Sequence, residues 1–328
     1  MISKELIEEV TRGQRNIANL MAQNKAKPPV PPFPPVLAAE VQAIKSAVAT
    51  PRPQPVVAKP LPGGAKYHQI FDALRMAVAA KVNVFLVGPA GAGKTTVAKQ
   101  VAHSLGLRFQ FNGAIHSEYK LTGFRDAQGK VHRTAFREAF EHGGVYLFDE
   151  IDASQPAALL AFNAALANGM FDFPDRNVQA HPNFRCIAAA NTWGKGATMD
   201  YVGRNALDAA TMDRFAMLEM RYDASLERRM AHLASNDHID LAEAWLELVQ
   251  KTRALCHEHD FRHIVSPRAT QQGLRLMVGG ITAEGATLMV LRRGMEDTSW
   301  GRIRPSIHAL IQKAEAARQH VVSITQKP

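Results

Sequence analysis

The run Gly88-Pro-Ala-Gly-Ala-Gly-Lys94-Thr95-Thr96 decides the fold. The apolar run Val82–Val87 precedes it, and Thr96–His103 follows with apolar residues at helical spacing. A buried strand, a Gly-rich turn and a helix form the setting in which G-x-x-x-x-G-K-[ST] builds a phosphate cradle. Glycines let backbone N–H groups close around phosphate oxygens, and the helix N-terminus adds its positive end. On this reading Gly88, Pro89, Ala90, Gly91, Ala92, Gly93, Lys94, Thr95 and Thr96 hold a nucleoside triphosphate. Lys94 reaches its β- and γ-phosphates, and the Thr95 hydroxyl ligates Mg²⁺.

Working outward, the next informative run is Gly143-Gly-Val-Tyr-Leu-Phe-Asp149-Glu150-Ile-Asp152, a buried strand that ends in carboxylates. Carboxylates there are costly unless an ion or partner compensates them. Beside a phosphate cradle that partner is Mg²⁺, held by Asp149, while Glu150 polarises the attacking water. Asp152 reads as the cap of a helix that starts near Gln155-Pro156, with a role beside the metal as the alternative. A third strand, Phe184–Ala190, ends in Asn191-Thr192. Its amide at a strand end would orient the lytic water.

Strand-like runs at Val82–Val87, Arg108–Asn112, Gly144–Phe148, Phe184–Ala189 and Ala216–Met220 alternate with helical runs. That alternation predicts an α/β core, a parallel sheet covered by helices, over residues 63–223. From Ala224 only helical patterns appear, so residues 224–328 read as an all-α lid ending in a basic tail. At the other end, residues 1–27 read as an amphipathic helix with Ile2, Leu6, Val10, Ile17, Leu20 and Met21 near one face. Residues 28–62 hold 11 of the 18 prolines and read as a semi-rigid linker, interrupted by a short helix at Leu37–Ala49. A tethered helix on such a linker suits docking to a partner.

The formal charge of +9 is concentrated at the ends: residues 1–60 and 271–328 each carry eight Lys/Arg against four Asp/Glu. Such ends permit weak nucleic-acid affinity, but without an aromatic-basic motif they read as docking and solubility surface. Two cysteines make no disulfide framework, the N-terminus is unlike a secretory signal, and no run approaches a membrane helix, so a cytoplasmic protein without a membrane partner is expected. Cys256, His259 and His263 share a helical face, yet no second ligand pair at zinc-site spacing accompanies them, so they read as helix surface.

Gly88–Thr95, Phe148-Asp-Glu150, Asn191 and Asn205-Ala-Leu-Asp-Ala-Ala-Thr-Met-Asp213-Arg214-Phe215, in this order, resemble the AAA+ ATPases. The likeness is greatest to the MoxR/CobS-like branch of the dynein-related type, and it covers about residues 65–275. It implies ATP as the triphosphate, with Mg²⁺. It implies that Arg214 projects into a neighbouring subunit's site as an arginine finger, with Arg204 a weaker rival for that role. Arg268, in Val265-Ser-Pro-Arg268, matches the second sensor, which touches the γ-phosphate of its own subunit. Tyr119–Thr134, with its Ala127-Gln-Gly129 turn, is similar to the insert that this branch points into a central pore, and Gly169–Pro182 resembles the hairpin that precedes its first sensor strand. A pore-hairpin reading of both is preferred to plain polar loops. The expectation is a ring, a hexamer, whose hydrolysis remodels or activates a client protein, often one of von Willebrand A type. A nucleic-acid-stimulated motor and a nucleotide-gated scaffold are the alternatives.

Overall fold

In the computed structural model, residues 67–325 are described. The expected N-terminal helix, the helix at Leu37–Ala49 and the Pro-rich linker lie outside them. The described chain begins with α1 (Phe71–Ala79), β1 (Val84–Val87), α2 (Lys94–Ser104) and β2 (Phe109–Asn112). Next come a short hairpin of β3 (Phe124–Arg125) and β4 (Val131–His132), α3 (Ala135–His142) and β5 (Gly144–Phe148). After them stand α4 (Pro156–Asn168), a second hairpin of β6 (Met170–Asp172) and β7 (Asn177–Gln179), β8 (Phe184–Ala190), α5 (Ala209–Asp213) and β9 (Ala216–Glu219).

Five of these strands form one parallel sheet in the order β2-β5-β8-β1-β9. Every residue of β1 and β5 is buried, as a parallel sheet covered on both faces requires. Side chains alternate strictly between the two faces. Val84, Leu86, Val145, Leu147, Ile187 and Ala189 pack with α1 and α2. Phe85, Val87, Tyr146, Phe148, Cys186 and Ala188 pack with α3 and α4. Phe136, fully buried on α3, stands within 5.7 Å of the rings of Phe140, Tyr146, Phe162 and Phe171. Emptying that position removes about 3–5 kcal/mol from a core of this kind.

The C-terminal region is helical: α6 (Ala224–Ala234), α7 (Ile239–Glu258), α8 (Pro267–Val278), a short helix Ala283–Ala286, a π-turn Thr287–Leu291 and α9 (Asp297–Thr325). Buried Ile303, Ile307, Ile311 and Ala314 make the stripe that seats α9 on this core. Cys256, expected on a helix surface, faces inward at 3% exposure, and burial pushes its thiol up to about 11. A buried ion pair ties three helices together. Arg253 forks onto Glu227 at 2.7 and 2.9 Å, and Thr270 donates to the same carboxylate at 2.6 Å. Among the described residues, no helix is long and apolar enough to cross a membrane.

Both expected hairpins are present. β3 and β4 pair antiparallel around the turn Asp126–Lys130, and β6 and β7 pair around Phe173–Arg176.

Candidate active site

Parallel strands that end together create a crevice beyond their carboxyl ends, and this is where the quoted motifs meet. Val87 accepts a hydrogen bond from the Met220 N–H at 2.7 Å, and the chain then crosses the end of β9. A Cβ at Gly88 would stand 2.0 Å from the Met220 carbonyl oxygen, so only hydrogen fits there. Gly91 and Gly93 are needed for a different reason, since φ of +78° and +96° places both in the left-handed region.

Lys94 opens α2 and is only 7% exposed. Its ammonium donates to the carbonyls of Gly88 at 2.7 Å and Pro89 at 3.1 Å, and to Asn191 Oδ1 at 2.8 Å. Burial pulls its pKa down to about 8; Asp149 and Asp152 oppose the shift, while Arg204 and Arg268 add to it. The next residue, Thr95, donates from Oγ1 to Asp149 Oδ2 at 2.7 Å. A hydroxyl and a carboxylate on one spot are hard oxygen donors, so these two residues fit Mg²⁺. Glu150 sits at φ 54° with its side chain 48% exposed. A non-glycine residue in that conformation is strained, a feature that gathers at functional sites.

Arg268 comes from the helical region. Ser266 caps α8 by accepting the Arg268 N–H, and a Cβ at Gly91 would lie 2.6 Å from the Ser266 hydroxyl. The start of α8 therefore presses on the cradle and brings Arg268 into a cleft of about 360 Å³ with Lys94, Thr95, Asp149, Glu150 and Asn191. A mostly apolar pocket of about 360 Å³ adjoins it, lined by His68, Val97, Met220, Leu226 and Met230 and sharing Gly91 and Gly93 with the cleft. Its size and lining suit a flat base. No motif in the sequence marks it, because its walls come from separate elements.

Two expected residues stand elsewhere. Arg214 precedes β9, and its carbonyl accepts from the Asn83 side chain just before β1. It is therefore at the opposite end of the sheet from Gly88, roughly 15 Å along the strand. Its Nη1 donates to the Ala210 carbonyl of its own helix, while its Nε is buried without a hydrogen-bond partner. Asp152 is not a helix cap. It is fully buried, accepts from Thr192 Oγ1 at 2.7 Å and pairs with Arg204 Nη1 at 3.1 Å, whereas the N-cap of α4 is Gln155. The turn Ile151–Ala153 swings its carboxylate inward toward the end of β8, away from the helix start.

Sequence reasoning missed what surrounds that carboxylate. Arg204 reaches both Asp152 and Glu150 of its own chain, the latter at 3.5 Å. Tyr201 Oη accepts from the Ala90 N–H, and Tyr222 Oη donates to the Ala90 carbonyl, each at 2.9 Å. The available signal was a carboxylate at a strand end that needed a cation.

Known proteins bear on this geometry as follows. Residues 83–215 match the family model described as the AAA domain of the dynein-related subfamily. The fold is that of the AAA+ P-loop ATPases. Solved structures with similar folds include NtrX from Brucella abortus in complex with ADP: 15% identity, 88% of this chain, 69% of that chain and TM-score 0.50. NtrX crystallised otherwise gives 16% identity and TM-score 0.47 over 80% of this chain, which spans 58% of that protein's length. The RuvB Holliday junction branch migration motor of Thermotoga maritima gives 15% identity and TM-score 0.42 over 72% of this chain and 65% of that one. At such identities the likeness concerns the AAA+ fold alone. No curated protein matches the chain.

Proposed function

We propose that this chain is a Mg²⁺-dependent ATPase of the MoxR/CobS-like branch that acts in a ring to remodel or activate a client protein. The observation that carries the reading is the Thr95–Asp149 hydrogen bond at 2.7 Å, within a cleft also lined by Lys94, Glu150, Asn191 and Arg268. Lys94 and the cradle N–H groups bind the phosphates of ATP, and the apolar pocket beside Val97 and Met220 takes the base. Thr95 and Asp149 hold Mg²⁺, which when bound neutralises charge on phosphate oxygens. Glu150 takes the proton of the attacking water, Asn191 orients that water, and Arg268 meets the γ-phosphate from the helical side.

The ring rests on Arg214. An arginine at the far end of the sheet lies away from its own cradle, which supports delivery to a neighbouring subunit's site. Arg204, its rival for that role, is engaged within its own chain. For the client, support comes from the β3–β4 hairpin, where Phe124 is 46% exposed and stacked on its cross-strand partner His132, an apolar surface a partner can cover. A von Willebrand A-type client remains part of this proposal.

Glu150→Gln is the direct test. Hydrolysis measured by phosphate release should fall at least about 100-fold while ATP affinity stays within a few-fold. A variant that hydrolyses as fast as the parent would overturn the assignment of Glu150. Stimulation of turnover by DNA that weakens steeply with salt would replace the protein client by a nucleic acid.

A further inference from the structure

We propose that Arg204 is a resting-state latch on Glu150, a role that builds on the reading of Glu150 as the water-activating group. The guanidinium has two arms of unequal strength. One is fixed: Nη1 stands 3.1 Å from Asp152, which is fully buried and also bonded to Thr192. The Asn205 N–H donates to the Asp152 carbonyl at 2.6 Å, and the Asn205 amide donates to the Ser154 carbonyl at 3.0 Å, so the latch is pinned on its backbone as well. The other arm is loose: Nη2 lies 3.5 Å from a Glu150 carboxylate that is 48% exposed.

While this pair holds, the Glu150 carboxylate is tied through Arg204 to the buried Asp152 and is not free to engage a water. The same loop, residues 192–208, touches both the cradle and the helical region. Tyr201 meets the Ala90 N–H of the cradle, and the Met199 carbonyl accepts from Arg262, in the connection between α7 and α8, at 2.8 Å. Arg204 also acts electrostatically on Lys94, so phosphate charge gathered by Lys94 competes for the loose arm. Binding of the triphosphate then frees Glu150 without disturbing the buried pair with Asp152. A chain without substrate keeps its base engaged.

The test uses the full chain and two substitutions at one position. Arg204→Lys keeps a charge for the buried Asp152 but cannot fork to Glu150. Arg204→Met removes both arms, and its lower unfolding midpoint marks what a purely structural loss looks like. For Arg204→Lys, the Kd of a fluorescent ATP analogue should fall about 1.5- to 5-fold, the worth of an exposed pair, and client-free turnover at subsaturating ATP should rise by the same factor. A readout independent of turnover is a double-mutant cycle in nucleotide-free protein. Arg204→Lys and Glu150→Gln should shift the thermal midpoint non-additively by about 1–3 °C. Turnover that falls at unchanged Kd would make Arg204 a helper of the chemistry and end the latch. Additive midpoints would end it too, since the pair would then be absent. A parent chain that binds ATP without hydrolysing it would instead refute the proposed function, and the cycle would still decide the pair.

Discussion

Lys94 holds a charge in a place that disfavours charge. Burial brings its pKa to about 8 in the folded chain against 10.5 for the free side chain, so between those values the folded state binds fewer protons than the unfolded state. Its penalty on stability is therefore full below about pH 8 and fades as the pH climbs toward the unfolded value. A polyphosphate reverses the preference, because its charge favours the ammonium. ATP affinity should accordingly fall above about pH 8, by up to about tenfold per pH unit for one coupled proton. Calorimetry across that range checks this, and Lys94→Arg, which stays charged throughout, should flatten the profile. That Lys94, Thr95, Asp149, Glu150 and Asn191 share one cleft was legible in the sequence, the first two from the Gly-rich motif and the others from the ends of apolar runs. Asp152 was misread because its partner Arg204 lies 52 positions away, on a loop without periodicity.

On the scale of elements, the second hairpin is fastened to α3 by charge. Arg137, 1% exposed, forks onto Asp175 at 2.6 and 2.9 Å and lies over the Phe173 ring at 4.8 Å. It also reaches Glu141 at 3.0 Å, and Arg176 pairs with the same carboxylate. The Arg137 guanidinium holds Asp175 down to about 2. Arg137→Met strands two carboxylates that are partly solvated, so a loss of about 2 kcal/mol is expected, somewhat less than for a fully buried pair. Faster amide exchange confined to residues 169–182 would show that the hairpin, rather than the sheet, has come loose. In α8, Gly273→Ala should destabilise by about 1–3 kcal/mol, although alanine normally favours a helix, because its Cβ would meet the Trp245 ring at 2.0 Å. Thermal unfolding decides the sign. Hairpin turns and strands were readable from Gly129, Pro174 and the apolar runs. The order β2-β5-β8-β1-β9 was not, since parallel pairing is fixed by packing between distant segments.

For the molecule as a whole, the question is whether one chain holds a complete site. Arg268 arrives from the helical region of the same chain, whereas Arg214 stands at the other end of the sheet. Subunits carrying Arg214→Ala and subunits carrying Lys94→Ala should each be inactive alone and recover partial hydrolysis when mixed, since some neighbouring pairs then combine an intact cradle with an intact arginine. Failure to complement at any ratio would confine the site to one subunit. An arginine delivered to a γ-phosphate is worth about 10³–10⁵ in rate, so even a minority of mixed pairs is measurable.

Gly88 deserves a different description from its companions in the pattern. Gly93 answers to backbone torsion and Gly91 to torsion together with the Ser266 hydroxyl, whereas Gly88 answers to the Met220 carbonyl that passes 2.0 Å from where its Cβ would be. The first letter of the phosphate signature is thus the imprint of a strand that the chain adds more than a hundred residues later. Anyone scanning sequences for this signature is testing, in a single character, whether the last strand of the sheet has room to lie down beside the first.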